Sequence, residues 1–254
     1  MTANERFKSR LTKREPLFGC FVKTPHPAVV EVLGQCGIDF LVLDGEHSPF
    51  DKATINHCLL AARAVDCATL VRVPGSDPEC ILNVLDCGAA GVVVPHVTSV
   101  AQAKALVRAV HYGQDGRGIA GTTRAGSYGM RPLSEHLAST RNEVSLICQI
   151  EDRGGVECAR EIAAVSGVDA LFVGRADLTV SYGLEDFNSA KIKEICHQVL
   201  GAREAVTGLY CAPGEDIGPW RSSGAGLFVI GADHYFLIQG AKALTSLASA
   251  HNPN

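Results

Sequence analysis

The amino-acid sequence predicts an α/β protein of the (β/α)₈ TIM-barrel class. Eight short apolar stretches recur along the chain, and amphipathic sequence of helical length separates most of them. The stretches are continuously apolar, as in a parallel sheet that is covered on both faces. The chain has 254 residues, and barrels of this class typically run to about 250. Because no Pro/Ser linker or low-complexity tract divides the chain, we expect a single domain over residues 1–254.

The predicted elements follow one another in regular alternation. The predicted strands are 17–22, 39–44, 68–73, 91–95, 145–150, 170–174, 207–211 and 227–231. The predicted helices include PAVVEVLGQCG, TINHCLLAARAV, PECILNVLDCG, VAQAKALVRAVHY, GVECAREIAAV and KIKEICHQVLGAREAV, and several end on Gly. The largest interruption is residues 111–144, which hold six glycines and the side chains of Tyr112, Arg117, Arg124 and Tyr128. Ordered segments of this length are usually functional.

Composition excludes several classes of function. A net charge of −4 does not favour nucleic acid as a partner. No run of about 18 apolar residues occurs, which argues against a membrane span, and no signal-peptide pattern follows the basic start, so a cytoplasmic protein is expected. The ten cysteines form no C-x-x-C pair. We therefore expect buried reduced thiols rather than a zinc ribbon or a redox motif.

Polar residues stand where the predicted strands end. They are Lys23, Asp44, Glu46, His47, Arg72, His96, Gln149, Glu151, Arg175, Asp177, Asp233 and His234. In a barrel the carboxyl ends of the strands meet at one face, and catalytic groups come from there. The sequence therefore predicts an active site at this face.

Glu151 and Asp177 follow neighbouring strands and can converge on one point. Two carboxylates with no soft ligand nearby suit a hard divalent cation, Mg²⁺ or Mn²⁺. The alternative is that they form surface ion pairs with Arg153 and Arg175.

His47 is the candidate base, because an imidazole accepts a proton near neutral pH without prior perturbation. A purely structural histidine is the alternative. Asp86 offers a carboxylate that could accept the second ring N–H. Arg72 follows apolar residues and needs an anionic partner, either a substrate carboxylate or enolate or a protein carboxylate. Lys23 is the one lysine at a strand end, which disfavours Schiff-base chemistry without excluding it.

Taken together and in order, these residues resemble the HpcH/HpaI family of metal-dependent (class II) 2-oxo-acid aldolases. The matching stretches are DFLVLDGEHSPFD, LVRVPGSDP, VLDCGAAGVVVPHV, RGIAGTTRAGSYG, ICQIED and GVDALFVGRADLTVSYG, which lie within residues 19–183. The resemblance implies cleavage or formation of the C3–C4 bond of a 4-hydroxy-2-oxo acid, through a pyruvate enolate and an aldehyde. It also implies a divalent metal, Mg²⁺ or Mn²⁺, with Co²⁺ as a further candidate.

The resemblance also implies roles for single residues. Glu151 and Asp177 would hold the metal, Gln149 and Arg72 the 2-oxo acid, and His47 paired with Asp86 would transfer the proton. A swapped C-terminal helix and a homo-hexamer built as a trimer of dimers are implied as well. Arg124, on the Gly-rich loop, would then lie near a neighbouring subunit's site and bind substrate there.

Three positions depart from the family pattern. Phe21 stands where an aromatic residue, often Trp, is usual. His96 follows the fourth strand, where an apolar residue or Lys is usual, and Arg175 replaces the Pro of G-P-A-D-L. Additional cations at His96 and Arg175 would favour a polyanionic substrate. A second hypothesis is therefore the citrate synthase branch of the superfamily, which makes citrate from oxaloacetate and acetyl-CoA for siderophore biosynthesis; a histidine bonded to the backbone is the alternative role of His96.

Two further hypotheses come from different classes. A non-catalytic barrel acting as a scaffold would be expected to lack a ligand or the base, whereas both carboxylates, His47 and Arg72 are present. A phosphosugar barrel would use the glycines of GAGL or GADHY, but no lysine lies near CAPGEDIG to bind the anion.

Overall fold

Eight strands pair in chain order and close into a barrel, because β8 returns to pair with β1. The computed structural model describes residues 1–251, and every strand pairing in the barrel is parallel. The strands are β1 Leu17–Val22, β2 Phe40–Asp44, β3 Ala68–Arg72, β4 Gly91–Val94, β5 Ser145–Ile150, β6 Ala170–Val173, β7 Val206–Cys211 and β8 Ala225–Ala232. Each overlaps a predicted strand, so the predicted fold class is confirmed.

Helices alternate with the strands around the outside. They are α1 Ala3–Thr12, α2 Pro27–Gly34, α3 Lys52–Ala64, α4 Pro78–Asp86, α5 Val100–Val110, α6 Leu133–Glu143, α7 Arg153–Glu157, α8 Ala159–Ala163, α9 Arg175–Ser181, α10 Ala190–Leu200, α11 Gly218–Ser223 and α12 Asp233–His251. Short polar side chains start several of them. Asp51, for example, accepts a hydrogen bond from the Thr54 N–H at 2.7 Å, which satisfies a donor that the helix itself leaves free.

The inside of the barrel changes from apolar to polar along the strands. Phe40, Leu70 and Ile147 fill its middle and lower part. The inward positions nearest the carboxyl ends of the strands carry Asp44, Arg72, Gln149 and Tyr210. Since alternate residues of a strand face the same side, the apolar packing gives way to a polar layer at the carboxyl end.

Helix α1 covers the opposite, amino end of the barrel. Its Phe7 and Leu11 are buried, and the ring of Phe7 lies 5.2 Å from that of Phe40. Thr2 and Glu5 form a reciprocal capping box at its start. The sequence analysis treated this segment only as a basic terminus and missed the helix.

Residues 111–144 are less irregular than expected, because α6 occupies their last third. The remainder, 111–132, contains a single 3₁₀ turn at Ser127–Gly129, where Ser127 and Tyr128 have φ values of 54° and 55°. Two successive non-glycine residues in the left-handed region are costly, and such conformations cluster at functional segments.

Helix α12 leaves the barrel at Asp233, whose buried carboxylate accepts the backbone N–H groups of Lys23 and Thr24. The side chains from His234 through residue 247 are exposed, and they include Leu237, Ile238 and Leu244. Over the part of the chain that is described, no helix is long and apolar enough to cross a membrane. All ten cysteines are free thiols.

Candidate active site

Asp44 is the polar centre of the barrel mouth. Its carboxylate is fully buried, and Oδ1 accepts hydrogen bonds from Nε and Nη2 of Arg72 at 3.0 and 2.8 Å. Lys23 Nζ lies 3.0 Å from Oδ2, and the His47 N–H donates to Oδ1. Burial alone would raise the pKa of Asp44, but the Arg72 charge and these hydrogen bonds hold that pKa below its ordinary value.

Arg72 is fixed from two sides. Asp44 holds its Nε and Nη2, and the guanidinium lies over the ring of Phe21 at 4.6 Å from the centroid, a cation–π contact. Of the two anionic partners that the sequence left open for Arg72, the structure shows the protein carboxylate. Phe21, which is smaller than the Trp often found at this position, thus helps to hold the Arg72 guanidinium in place.

Glu151 lies at the end of β5 with 1 % of its surface exposed. Oε1 accepts the backbone N–H of His96 at 2.8 Å, and Oε2 accepts the side-chain amide of Gln149. Burial raises the pKa of Glu151, and the charge of Asp177, in the first turn of α9, raises it further against the effect of the two hydrogen bonds. The charge of Asp177 therefore acts on Glu151, and the charge of His96 acts on it in the opposite direction.

Gly174 makes room for the Glu151 carboxylate. A Cβ atom at this position would lie 2.4 Å from Glu151 Oε2 and 2.8 Å from Glu151 Cβ, well inside normal contact distances. The glycine between β6 and α9 is thus a condition for the observed position of the carboxylate.

Neither predicted ligand has a lysine or arginine partner within 4.0 Å among residues 1–251. Arg175, the alternative partner, turns away and forms a bidentate pair with Glu215 at 2.9 and 2.7 Å. Arg153 instead lies over the ring of Tyr182. His96 Nδ1 lies 3.5 Å from Glu151 Oε1, but it is hydrogen-bonded to Asp152. A buried carboxylate with a like charge nearby and no lysine or arginine partner is costly, so the residues present fit a bound divalent cation.

The protein would supply only part of the coordination shell of that cation. Within the described ranges, no group of three or more His, Cys, Asp or Glu side chains is arranged to hold a metal. Two carboxylates leave positions open for water and substrate, which is how Mg²⁺ is usually bound.

His96 lies at the mouth, as expected, but its imidazole is already engaged. Its Nδ1 lies 2.9 Å from Asp152 Oδ2, and its Nε2 lies 3.9 Å from Glu46 Oε1. The hydrogen bond to Asp152 raises the pKa of His96, supported by the charges of Glu151, Asp152 and Glu46. The expectation that Arg175 adds a cation to the site is wrong, because Glu215 and the ring of Trp220 enclose it.

His47 also lies at the mouth, with its side chain 55 % exposed and Nε2 3.6 Å from Glu46 Oε2. The predicted contact with Asp86 is not made within one chain. Asp86 ends α4, which runs back towards the amino end of the barrel, and its Oδ1 is buried there without a hydrogen-bond partner. Burial raises the pKa of Asp86.

Arg124 lies at the amino end as well. Its Nη1 donates to the backbone carbonyls of Asn56 and Cys87, and it shares a cavity of about 280 Å³ with Thr2 and Asn4 near α1. Asp86 and Arg124 are therefore close to each other and remote from the mouth of their own barrel.

Sequence reasoning missed three residues that shape the site. Asp152 accepts a hydrogen bond from His96, Glu215 pairs with Arg175 and keeps it away from the metal ligands, and Tyr210 stacks on Phe21 with ring centroids 6.2 Å apart. Asp233, which the sequence placed at a strand end, anchors the loop that carries Lys23. The alternation along β7 places Tyr210 inside the barrel and could have found it. No comparable signal pairs Glu215 with Arg175, since 40 residues separate them.

Sequence comparison finds a matching family and relatives that are named as aldolases. The HpcH/HpaI aldolase/citrate lyase family profile matches residues 17–215. The chain is 33% identical over 240 residues to a hydroxypyruvate/pyruvate aldolase from Roseovarius nubinhibens, covering 93% of each chain. It is 32% identical over 233 residues to a 5-keto-4-deoxy-D-glucarate aldolase from an Enterobacter species, covering 90% of each.

Solved structures give the same result. A family member from Burkholderia cenocepacia superposes with a TM-score of 0.90 at 31% identity, over 96% of this chain and 100% of that one. The citrate synthase SbnG superposes with a TM-score of 0.85 at 27% identity, over 96% and 97%. The profile match over most of the chain, the aldolase relatives and the shared barrel show that this chain belongs to the HpcH/HpaI aldolase/citrate lyase family.

Proposed function

We propose that this protein is a metal-dependent class II aldolase that cleaves or forms the C3–C4 bond of a 4-hydroxy-2-oxo acid. The observation that carries the proposal is the buried Glu151 carboxylate, which lies near the charge of Asp177 and has no lysine or arginine partner among the described residues. Relatives over nearly the whole chain are named as aldolases of hydroxypyruvate and pyruvate.

Glu151 and Asp177 would hold the divalent cation, which when bound would polarise the carbonyl of the 2-oxo acid. Mg²⁺ and Mn²⁺ suit two carboxylates best, with Co²⁺ as a third candidate. Gln149 lies beside them, buried, and its Oε1 has no hydrogen-bond partner in the described residues. This amide is therefore placed to contact the bound 2-oxo acid.

Arg72 stabilises the negative charge that develops on the substrate oxygen as the enolate forms. Asp44 and Phe21 hold the guanidinium before the substrate arrives. A donor that is already oriented needs no reorganisation in the transition state, which is the main source of electrostatic catalysis.

His47 exchanges the proton of the C4 hydroxyl. Its ring is half exposed at the mouth and lies next to Glu46, so substrate can reach it. In cleavage it takes the proton as the C3–C4 bond breaks, and in condensation it returns the proton to the aldehyde oxygen. Lys23 is paired with buried Asp44, which further disfavours imine chemistry.

The citrate-forming alternative rested on additional cations at the mouth. One of them, Arg175, is enclosed by Glu215 and Trp220, and the other, His96, is paired with Asp152. The likeness to SbnG therefore lacks the electrostatic support that a tricarboxylate would need, and the aldolase is the better proposal.

We also propose a homo-hexamer, a trimer of dimers in which α12 is exchanged between subunits. The exposed apolar side chains Leu237, Ile238 and Leu244 on that helix support a partner subunit. Asp86 and Arg124 lie at the end of the barrel away from their own mouth, so their predicted roles, pairing with His47 and binding substrate, require a neighbouring subunit. The free thiols support action in the reducing cytoplasm.

Proton–deuterium exchange at the methyl group of pyruvate tests the central step. The purified protein is incubated with pyruvate in D₂O and followed by NMR, first stripped with EDTA and then resupplied with Mg²⁺ or Mn²⁺. We expect exchange only with metal. If no cation supports exchange while oxaloacetate and acetyl-CoA release free CoA, the citrate-forming function replaces the aldolase.

A further inference from the structure

Arg175 and Glu215 form a hydrogen-bonded cluster that joins the first turn of α9 to the loop after β7. Arg175 is 4 % exposed, and its Nη1 and Nη2 donate to the two carboxylate oxygens of Glu215 at 2.9 and 2.7 Å. Nη2 also donates to the backbone carbonyl of Tyr210 at 2.9 Å. Glu215 accepts two further hydrogen bonds, from Trp220 Nε1 and from the Ala212 N–H, each at 2.9 Å. The guanidinium is therefore fixed relative to β7 and to the loop that follows it.

Two aromatic rings shield this pair from water. The guanidinium carbon of Arg175 lies 5.4 Å from the ring centroid of Trp220 and 5.8 Å from that of Phe187, within the range of cation–π contacts. Trp220 is itself buried and packs on the ring of His197. A shielded, bidentate arginine–carboxylate pair is both strong and geometrically specific, so it restrains the backbone at each end far more than a surface ion pair does.

The restraint acts on the turn that carries a predicted metal ligand. Arg175 is the first residue of α9, and Asp177 lies in the same first turn. The first N–H groups of a helix have no intrahelical partner, and helix ends fray. A proline at the first position, as in the G-P-A-D-L pattern of the family, fixes φ and prepares the turn. Arginine lacks that restraint, so in this chain the turn is held from outside the helix, by Glu215.

We propose that Arg175 is a positioning residue for the metal ligand Asp177. Its pair with Glu215 fixes the first turn of α9 and thereby the direction of the Asp177 carboxylate, although the guanidinium itself is enclosed away from the mouth. The inference rests on the proposed function through one assignment only, that of Asp177 as a ligand. Loss of a group that orients a metal ligand typically lowers metal affinity by about 10- to 100-fold.

The dissociation constant of Mn²⁺, measured by electron paramagnetic resonance, tests this role independently of activity. Arg175→Ala removes a positive charge from the neighbourhood of the cation, so electrostatics alone would tighten Mn²⁺ binding. Positioning predicts the opposite sign, a dissociation constant raised by about tenfold. A dissociation constant that falls, or that stays within about twofold of the native value, overturns the role.

Two double variants test whether restraint of the turn is the cause. Arg175→Ala and Arg175→Pro are each combined with Glu215→Gln, so that no carboxylate is left without its partner. We expect the proline variant to bind Mn²⁺ within about threefold of the native affinity and the alanine variant to bind about tenfold more weakly, because proline suits the first position of a helix. Equal affinities in the two double variants would contradict the proposal.

Lys8→Ala is the matched control. It removes another partly buried ion pair, with Asp169 at 2.6 Å, at the opposite end of β6. Urea denaturation should show a loss of stability, while the Mn²⁺ affinity should remain native. If Lys8→Ala weakens Mn²⁺ binding as much as Arg175→Ala does, general destabilisation explains both results and the positioning role is lost.

Asp177→Ala, measured in the same way, separates this role from the proposed function. Loss of Mn²⁺ binding in Asp177→Ala together with native binding in Arg175→Ala overturns the role of Arg175 alone. Native binding in Asp177→Ala overturns the ligand assignment, and the positioning role with it. If the native protein binds Mn²⁺ but exchanges no pyruvate protons, the aldolase function fails, and the dissociation constants still decide the role of Arg175.

Discussion

Replacing Gly174 by alanine should damage the metal site while leaving the barrel intact. The new Cβ would lie 2.4 Å from Glu151 Oε2, where ordinary contacts begin at 3.4 Å, so the carboxylate must shift by about 1 Å. A misplacement of this size can lower a rate by about 100-fold. Weakened ligand orientation should raise the metal concentration needed for half-maximal activity by about 10- to 100-fold.

The assay is pyruvate proton exchange titrated with Mn²⁺, with binding of the ion followed separately by electron paramagnetic resonance. Gly75→Ala is the matched control, because a Cβ at Gly75 meets no atom within 4 Å. Overpacking at position 174 should cost about 1–3 kcal/mol of unfolding free energy, which urea denaturation measures. A Gly174→Ala protein with native Mn²⁺ affinity and native exchange would refute the ligand role of Glu151.

Three further predictions concern other parts of the site. His96 has a φ of 55°, so His96→Val should lose about 1–2 kcal/mol in urea denaturation while His96→Asn loses less. Asp44→Asn should cost about 3 kcal/mol at neutral pH. Because the folded pKa of Asp44 is lowered, that stability is present above its ordinary pKa and lost as the pH falls through the folded value, so urea curves at pH 7 and pH 3.5 should show a shrinking difference between variant and native protein. Mixing inactive His47→Ala and Asp86→Ala subunits after unfolding should restore up to about a quarter of native activity if the two residues meet across a symmetric interface; no recovery would contradict the shared site.

The barrel was predictable because its strands are buried on both faces and therefore stand out as apolar runs. The strand ends also gave the positions of Asp44, Glu151 and Asp177 along the chain. Helix α1 was missed because its two buried residues, Phe7 and Leu11, lie among charges. Two buried residues in a short helix produce little hydrophobic periodicity in the sequence.

Side-chain direction after a strand was not predictable. Arg175 and Asp177 are two residues apart at the start of α9. Asp177 nevertheless contributes to the mouth, whereas Arg175 pairs with Glu215. That difference depends on a loop that follows β7, and local sequence near α9 contains no information about it. Asp86 shows the same limit, since a motif gives its identity but not the end of the barrel at which it lies.

The mouth combines two opposite electrostatic arrangements, and this contrast explains why it suits an aldolase. On the β2–β3 side, Arg72 and Lys23 are paired with carboxylates, so an arginine is held rigidly at little net charge. On the β5–β6 side, buried Glu151 lies near the charge of Asp177 and has no lysine or arginine partner among the described residues, an arrangement that favours a divalent ion. A 2-oxo acid bound between the two sides would direct the same oxygen at both of them. Negative charge that forms on this oxygen in the transition state would be stabilised without movement of either side.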